Sequence, residues 1–260
     1  MPVMFVHGMP SNSRLWQQVI TALDRDDEMI ALDLPGFNAP PPDGWIASKE
    51  NYVDWVIGQI EPVVARSGPI HLVSHDWGCL ISLRVASLRP ELLKTITAGN
   101  GPIDEHWPMH ALWEVWNQPG GGERFMDEVL TPEVTVKMLI ADGFPPEDAT
   151  RTLWQTREGR QLTLDLYRSA VGVGRQWGPD LGRIVIPSLL IWGLRDMIVP
   201  IEIGRRMAAK IGAEIVGVDA GHFWPYERPQ EVAELLRRHF ARADAWPETI
   251  LTQRVGTLTQ

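Results

Sequence analysis

Short apolar runs alternate with longer helical patterns over most of the chain. Val3–Val6, Met29–Leu32, Ile70–Val73, Leu93–Ala98, Ser188–Trp192 and Glu214–Val218 read as strands. Between them, apolar residues recur at three- and four-residue spacing. This predicts helices over Arg14–Leu23, Lys49–Ala65, Gly78–Leu88, Ile201–Ile211 and Glu231–Arg242. In the second of these, Val53, Val56, Ile57, Ile60 and Val64 make one apolar stripe. The strands are continuous apolar runs rather than alternations, as expected where both faces are covered. Strands spaced by helices predict an α/β fold: a mostly parallel sheet of about six strands flanked by helices.

Between Gly101 and Ile186 the alternation stops. The pattern there is helical, broken at Pro119-Gly120-Gly121-Gly122 and at Pro145-Pro146. The expected organisation is a core of residues 1–101 and 186–242, a helical cap of residues 102–185 inserted after the fourth strand, and a tail of residues 243–260 without periodicity.

Composition narrows the function. With 44% apolar residues, the 260-residue chain can bury a large core. A net charge of −9 and the lack of any basic run argue against nucleic acid or an anionic membrane as partner. Cys79 is the one cysteine, so no intramolecular disulfide is expected and a reducing compartment fits. No secretory leader or membrane span is read from the pattern, and the expected location is the cytoplasm. Twelve Trp stand beside only three Tyr, and many of the Trp fall in the inserted segment. They read as core residues or as the wall of an aromatic pocket.

In open parallel sheets, ligands and chemistry sit at the carboxyl ends of the strands. His7-Gly8-Met9-Pro10 follows the first strand, Asp33-Leu34-Pro35-Gly36 the second and Ser74-His75-Asp76-Trp77-Gly78 the third. Gly193-Leu194-Arg195-Asp196 follows the fifth and Asp219-Ala220-Gly221-His222 the sixth. Taken singly, Asp76 reads as a helix N-cap, Asp196 as a turn residue and His222 as a structural histidine. Their common placement at one end of the sheet points instead to a site. His7 and His75 read as structural, and Asp33 as ordering the loop after the second strand. No spacing of His, Cys, Asp or Glu suggests a metal, no Gly-rich loop suggests a phosphate, and no cofactor is expected.

These residues resemble the α/β-hydrolase family: a nucleophile at a tight strand-to-helix turn, an acid after a late strand and a final histidine, in that order. The family turn is ordinarily Gly-x-Ser-x-Gly. Here Asp76 takes the central place and Ser74 the first. With "HDWG" and "HGMP" the chain resembles the Asp-nucleophile branch of epoxide hydrolases and haloalkane dehalogenases. The resemblance implies that Asp76 attacks carbon and forms an alkyl ester, and that His222 activates the hydrolytic water. It further implies that Asp196 orients His222 and that backbone N–H groups of Met9 and Trp77 hold the oxyanion. A carboxylate suits the first step, because it is ionised at neutral pH and needs no base.

The leaving group separates the two branches. An opened epoxide needs a proton donor, whereas a halide needs only N–H donors. "LDLYRSA" resembles the Tyr-Arg element of epoxide hydrolase caps, which assigns Tyr167 to the oxirane oxygen. In "HALWEVWNQPGGGERF" the position of the usual second donor is Leu112, which cannot donate. Trp113 is the expected substitute, with His110 and Trp116 as weaker candidates, and all four are expected to line the substrate site. The indole pair Trp77 and Trp113 supports the dehalogenase alternative. A fluoroacetate dehalogenase fits less well, since no Arg follows Asp76 in the turn. The third alternative is a ligand-binding hydrolase fold without turnover. The expected reaction is hydrolysis of an apolar or aromatic epoxide to a vicinal diol. The resembled family has two further strands before the "HGMP" loop. Six strands are therefore expected here, with Met29–Leu32 at an edge where a second copy of the chain could pair.

Overall fold

The computed structural model describes residues 1–38, 40–107 and 112–245. The tail beyond residue 245 and the candidate His110 lie outside the described residues. Strands β1 (Val3–Val6), β2 (Met29–Leu32), β3 (Ile70–His75), β4 (Leu93–Gly99), β5 (Ser188–Gly193) and β6 (Glu214–Val218) form one sheet. Their order is β2-β1-β3-β4-β5-β6, and every neighbouring pair is parallel. β2 lies at one edge, as expected, and β6 at the other.

Burial explains the sequence pattern. Every residue of β1 and β3 is buried, while the edge strands β2 and β6 are only partly covered. Helices α1 (Gln17–Leu23), α2 (Lys49–Ser67) and α3 (Trp77–Leu88) connect the first four strands. α2 starts at Ser48, whose hydroxyl accepts the Asn51 N–H at 3.2 Å. The run Arg14–Leu23, expected as one helix, begins as a tighter turn over Ser13–Trp16 before α1. β3 runs two residues past its apolar stretch. Ser74 and His75 still pair with Ala98 and Gly99 of β4, and the Ser74 hydroxyl donates to the Thr97 carbonyl.

Between β4 and β5 lie α4 (Leu112–Asn117), α5 (Gly121–Glu128), α6 (Pro132–Ala141), α7 (Pro146–Ala149), α8 (Arg157–Ser169) and α9 (Val173–Trp177). The chain then completes the core with α10 (Ile201–Ile211), α11 (Trp224–Glu227) and α12 (Pro229–Asp244). The inserted helices are tied to the loop that leaves β1. Leu153 N–H donates to the Pro10 carbonyl at 3.2 Å, and the Asn12 amide donates to the Arg151 carbonyl at 3.0 Å. Arg14 and Asp148 form a close ion pair across the same junction. The insert therefore lies over the carboxyl ends of the strands.

The turn between β3 and α3 holds Asp76 at φ 53°, ψ −122°. An L-residue rarely adopts this region, and it persists only where surrounding contacts impose it. Here α3 packs so tightly on β1 that a Cβ on Gly78 would lie 2.4 Å from the Val6 carbonyl oxygen. We expect Gly78→Ala to destabilise the fold by about 3 kcal/mol, read as a lower midpoint in thermal unfolding. An unchanged midpoint would show that the packing at this turn is looser than described.

Candidate active site

Five strand ends supply the site: Met9 follows β1, Asp76 β3, Asn100 β4, Asp196 β5 and His222 β6. Asp76 occupies the N-cap position of α3, but its side chain makes no capping bond. Its Oδ1 instead accepts the Met9 backbone N–H at 2.6 Å. Its Oδ2 lies 3.6 Å from Nε2 of His222. The other imidazole nitrogen, Nδ1, donates to Oδ2 of Asp196 at 2.7 Å. Oδ1 of Asp196 accepts the backbone N–H groups of Ile198 at 2.7 Å and Val199 at 3.0 Å. The sequence-predicted Asp76, His222 and Asp196 are thus brought into one connected, buried array.

Charge within the array is coupled. Burial alone would lower the His222 pKa, but Asp196 and then Asp76 override it and hold the imidazole at about 10. Burial raises the Asp196 carboxyl, yet His222 and the two backbone donors outweigh it and leave the pKa below the ordinary value. His7 and His75 are held neutral, chiefly by burial, each with a pKa of about 4. His75 donates through Nε2 to the His222 carbonyl at 2.8 Å, and His7 receives the Leu34 N–H on Nε2 at 3.0 Å. Both brace loops of the site. Asp33 accepts the Ser13 N–H at 2.8 Å and orders the loop after β1.

Two positions went unnoticed in the sequence. Asn100 is fully buried at φ 51°. Its amide donates to Oδ2 of Asp196, and its carbonyl accepts the Gly193 N–H at 3.1 Å and the Trp224 indole N–H at 3.0 Å. The same rule that picked out the other strand ends would have found it after β4. Glu227 accepts the N–H of Gly221, the residue before His222, at 2.7 Å. Its other oxygen takes Arg195, the residue before Asp196, at 3.0 Å. One carboxylate thereby braces both loops.

A cavity of about 300 Å³ opens onto Asp76 and His222. Its wall includes Met9, Leu112, Trp116, Trp154, Tyr167 and Phe223. Burial, and then the nearby Asp76 charge, push the Tyr167 pKa well above the usual phenol value, against a hydrogen bond from the Trp77 side chain. The two rings meet edge to face, with centroids 5.0 Å apart. Trp77 opens α3, so its backbone N–H is among those at a helix start that have no acceptor within the helix. Trp113 is not on this cavity's wall, although its ring lies 6.2 Å from that of Tyr167. It lines a separate surface pocket with Trp107 and Val173. Leu112 and Trp116 are four residues apart on α4 and share its inner face, whereas Trp113 is turned about 100° away.

The Alpha/beta hydrolase family model matches residues 3–235, and the chain belongs to that family. A haloalkane dehalogenase of Mycolicibacterium paratuberculosis is 26% identical over 250 residues, spanning 90% of this chain and 82% of that protein. Epoxide hydrolase 3 of Mus musculus is 23% identical over 260 residues, spanning 90% of this chain and 69% of that protein. The crystal structure of haloalkane dehalogenase DbeA from Bradyrhizobium elkani superposes with a TM-score of 0.73 at 21% identity, covering 92% of this chain and 91% of that one. That last likeness is one of fold. The chain is a hydrolase of the α/β-hydrolase family, and among the described residues no helix is long and apolar enough to cross a membrane.

Proposed function

We propose that this protein hydrolyses an apolar or aromatic epoxide to a vicinal diol through an ester on Asp76. The observation that carries the reading is the shared cavity, in which the Asp76 carboxylate, the His222 imidazole and the Tyr167 phenol face one apolar space. Oδ2 of Asp76 attacks an oxirane carbon, the carbon–oxygen bond breaks, and Tyr167 gives its proton to the departing alkoxide. His222, an imidazolium in the free protein, then returns its proton to the Tyr167 phenolate and, now a neutral base, takes a proton from water, whose hydroxyl adds to the Asp76 carbonyl carbon. Met9 N–H already holds Oδ1, the oxygen that becomes the oxyanion, and the Trp77 N–H is the proposed second donor. Collapse expels the former Oδ2 with the product, which takes the remaining proton of the added water to become the diol, and His222 is left protonated as in the free protein. The inserted helices act as the cap that walls this reaction from solvent.

A haloalkane dehalogenase remains the second reading, supported by the Mycolicibacterium relative. Against it, Trp77 is engaged with Tyr167, and Trp113, with its ring 6.2 Å from the Tyr167 ring, is not on the cavity wall. The connected array of Asp76, His222 and Asp196 speaks against a receptor without turnover.

A single turnover of styrene oxide in heavy-oxygen water tests the route. We expect one heavy oxygen in the peptide carrying Asp76, since the water oxygen ends in the carboxylate. An active protein with no label there would exclude the ester. Bromobutane in a parallel arm would label Asp76 at a comparable rate only if the dehalogenase reading holds.

A further inference from the structure

The cavity mouth carries one charge that the ester chemistry does not use. Asp142 caps the C-terminus of α6 and lines the cavity, whose wall also holds the strongly exposed Met197 and the partly exposed Ile198. Among the described lining residues it is the only charged group besides Asp76 and His222, and no Lys or Arg lines the space. The cation that acts on it is His222, which is already held between Asp76 and Asp196. Helix stability does not account for this residue. A helix C-terminus carries partial negative charge and favours a cation. Burial, together with the nearby carboxylates Asp196 and Glu227, raises the Asp142 pKa against the His222 charge. Asp142 itself is exposed at the mouth, and among the described residues no hydrogen bond or ion pair occupies its carboxylate.

We propose that Asp142 sets the substrate class: an apolar body carrying an N–H or O–H donor at its outer end, best an ammonium. The apolar wall takes the body, and the Asp142 carboxylate meets the donor as it would meet a counter-charge. A carboxylate-bearing compound of the same shape is turned away, because it meets a like charge with no arginine or lysine to offset it. This rests on the reading that the cavity above Asp76 holds the substrate.

Titration calorimetry with phenylpropylamine, phenylpropanol and phenylpropanoate tests it on the intact protein. The amine is expected to bind about tenfold or more tighter than the carboxylate, with the alcohol between them. In Asp142→Asn that ratio should shrink to about twofold, and in Asp142→Lys it should reverse. The same ratio in all three proteins would overturn the proposal, as would failure of the amine to bind the wild type. Calorimetry reads binding without turnover. A protein that forms no ester on Asp76 can still show the preference, and an active epoxide hydrolase can lack it.

Discussion

His222→Gln is expected to leave the protein alkylated on Asp76 and to slow turnover roughly 10⁴-fold. In the free protein His222 stands between two carboxylates, 2.7 Å from Asp196 and 3.6 Å from Asp76. Their combined charge keeps it protonated up to a pH of about 10. In the proposed route, ester formation would convert Asp76 into a neutral group and remove one of these supports. Burial, the largest single influence on the ring, then draws the pKa back down, and the imidazole becomes a base when a base is needed. Glutamine cannot take the proton, so the ester should persist. Intact-mass spectrometry after one equivalent of styrene oxide should show the protein heavier by one substrate. An unmodified variant that still turns over would sink the assignment.

The same charge coupling has a second, independent readout. The folded pKa of His222, about 10, lies above its unfolded value of 6.5. The interaction therefore stabilises the fold fully below pH 6.5, and that stabilisation is lost as pH rises through about 10. The stability difference between wild type and His222→Gln should accordingly narrow in alkaline buffer.

The placement of residues at the strand ends was legible from the sequence alone. The apolar runs located all six strands to within two residues, because continuous burial on both faces leaves a one-dimensional trace. Asp76, Asp196 and His222 follow from the topology of a parallel sheet. The insert was legible only as helix. Which of its side chains face Asp76 depends on how α4, α6 and α8 pack on the core, and a periodic pattern does not encode that. Leu112 and Trp116 were recoverable from their four-residue spacing on one helix face. Trp113, next in sequence to Leu112, stands on another side of the same helix, and its ring still comes within 6.2 Å of the Tyr167 ring. Asp142 left no trace of its role, since a polar residue at the end of a helix is unremarkable until a cavity is found beside it.

Tyr167→Phe should slow ring opening of styrene oxide by about 10² to 10³ while leaving displacement of bromide from bromobutane within about threefold. The asymmetry follows from the leaving groups. Bromide departs as a weak base and gains little from a proton. The oxirane oxygen departs as a strongly basic alkoxide that stays attached to the product and must be protonated. Tyr167 suits that task. Burial keeps it a neutral phenol, and the Trp77 side chain donates to its oxygen, easing the charge that builds there as the proton leaves. Phenylalanine keeps the ring contacts with Trp77 and Trp116 but removes the donor. Pre-steady-state alkylation of Asp76, followed by mass, isolates this step from ester hydrolysis. In the proposed route water attacks the same ester carbonyl in both proteins, so the His222-dependent second step should be nearly unchanged. Equal slowing with both substrates would mean that Tyr167 supports the cavity wall rather than the departing oxygen, and epoxide hydrolysis would then lose its advantage over dehalogenation.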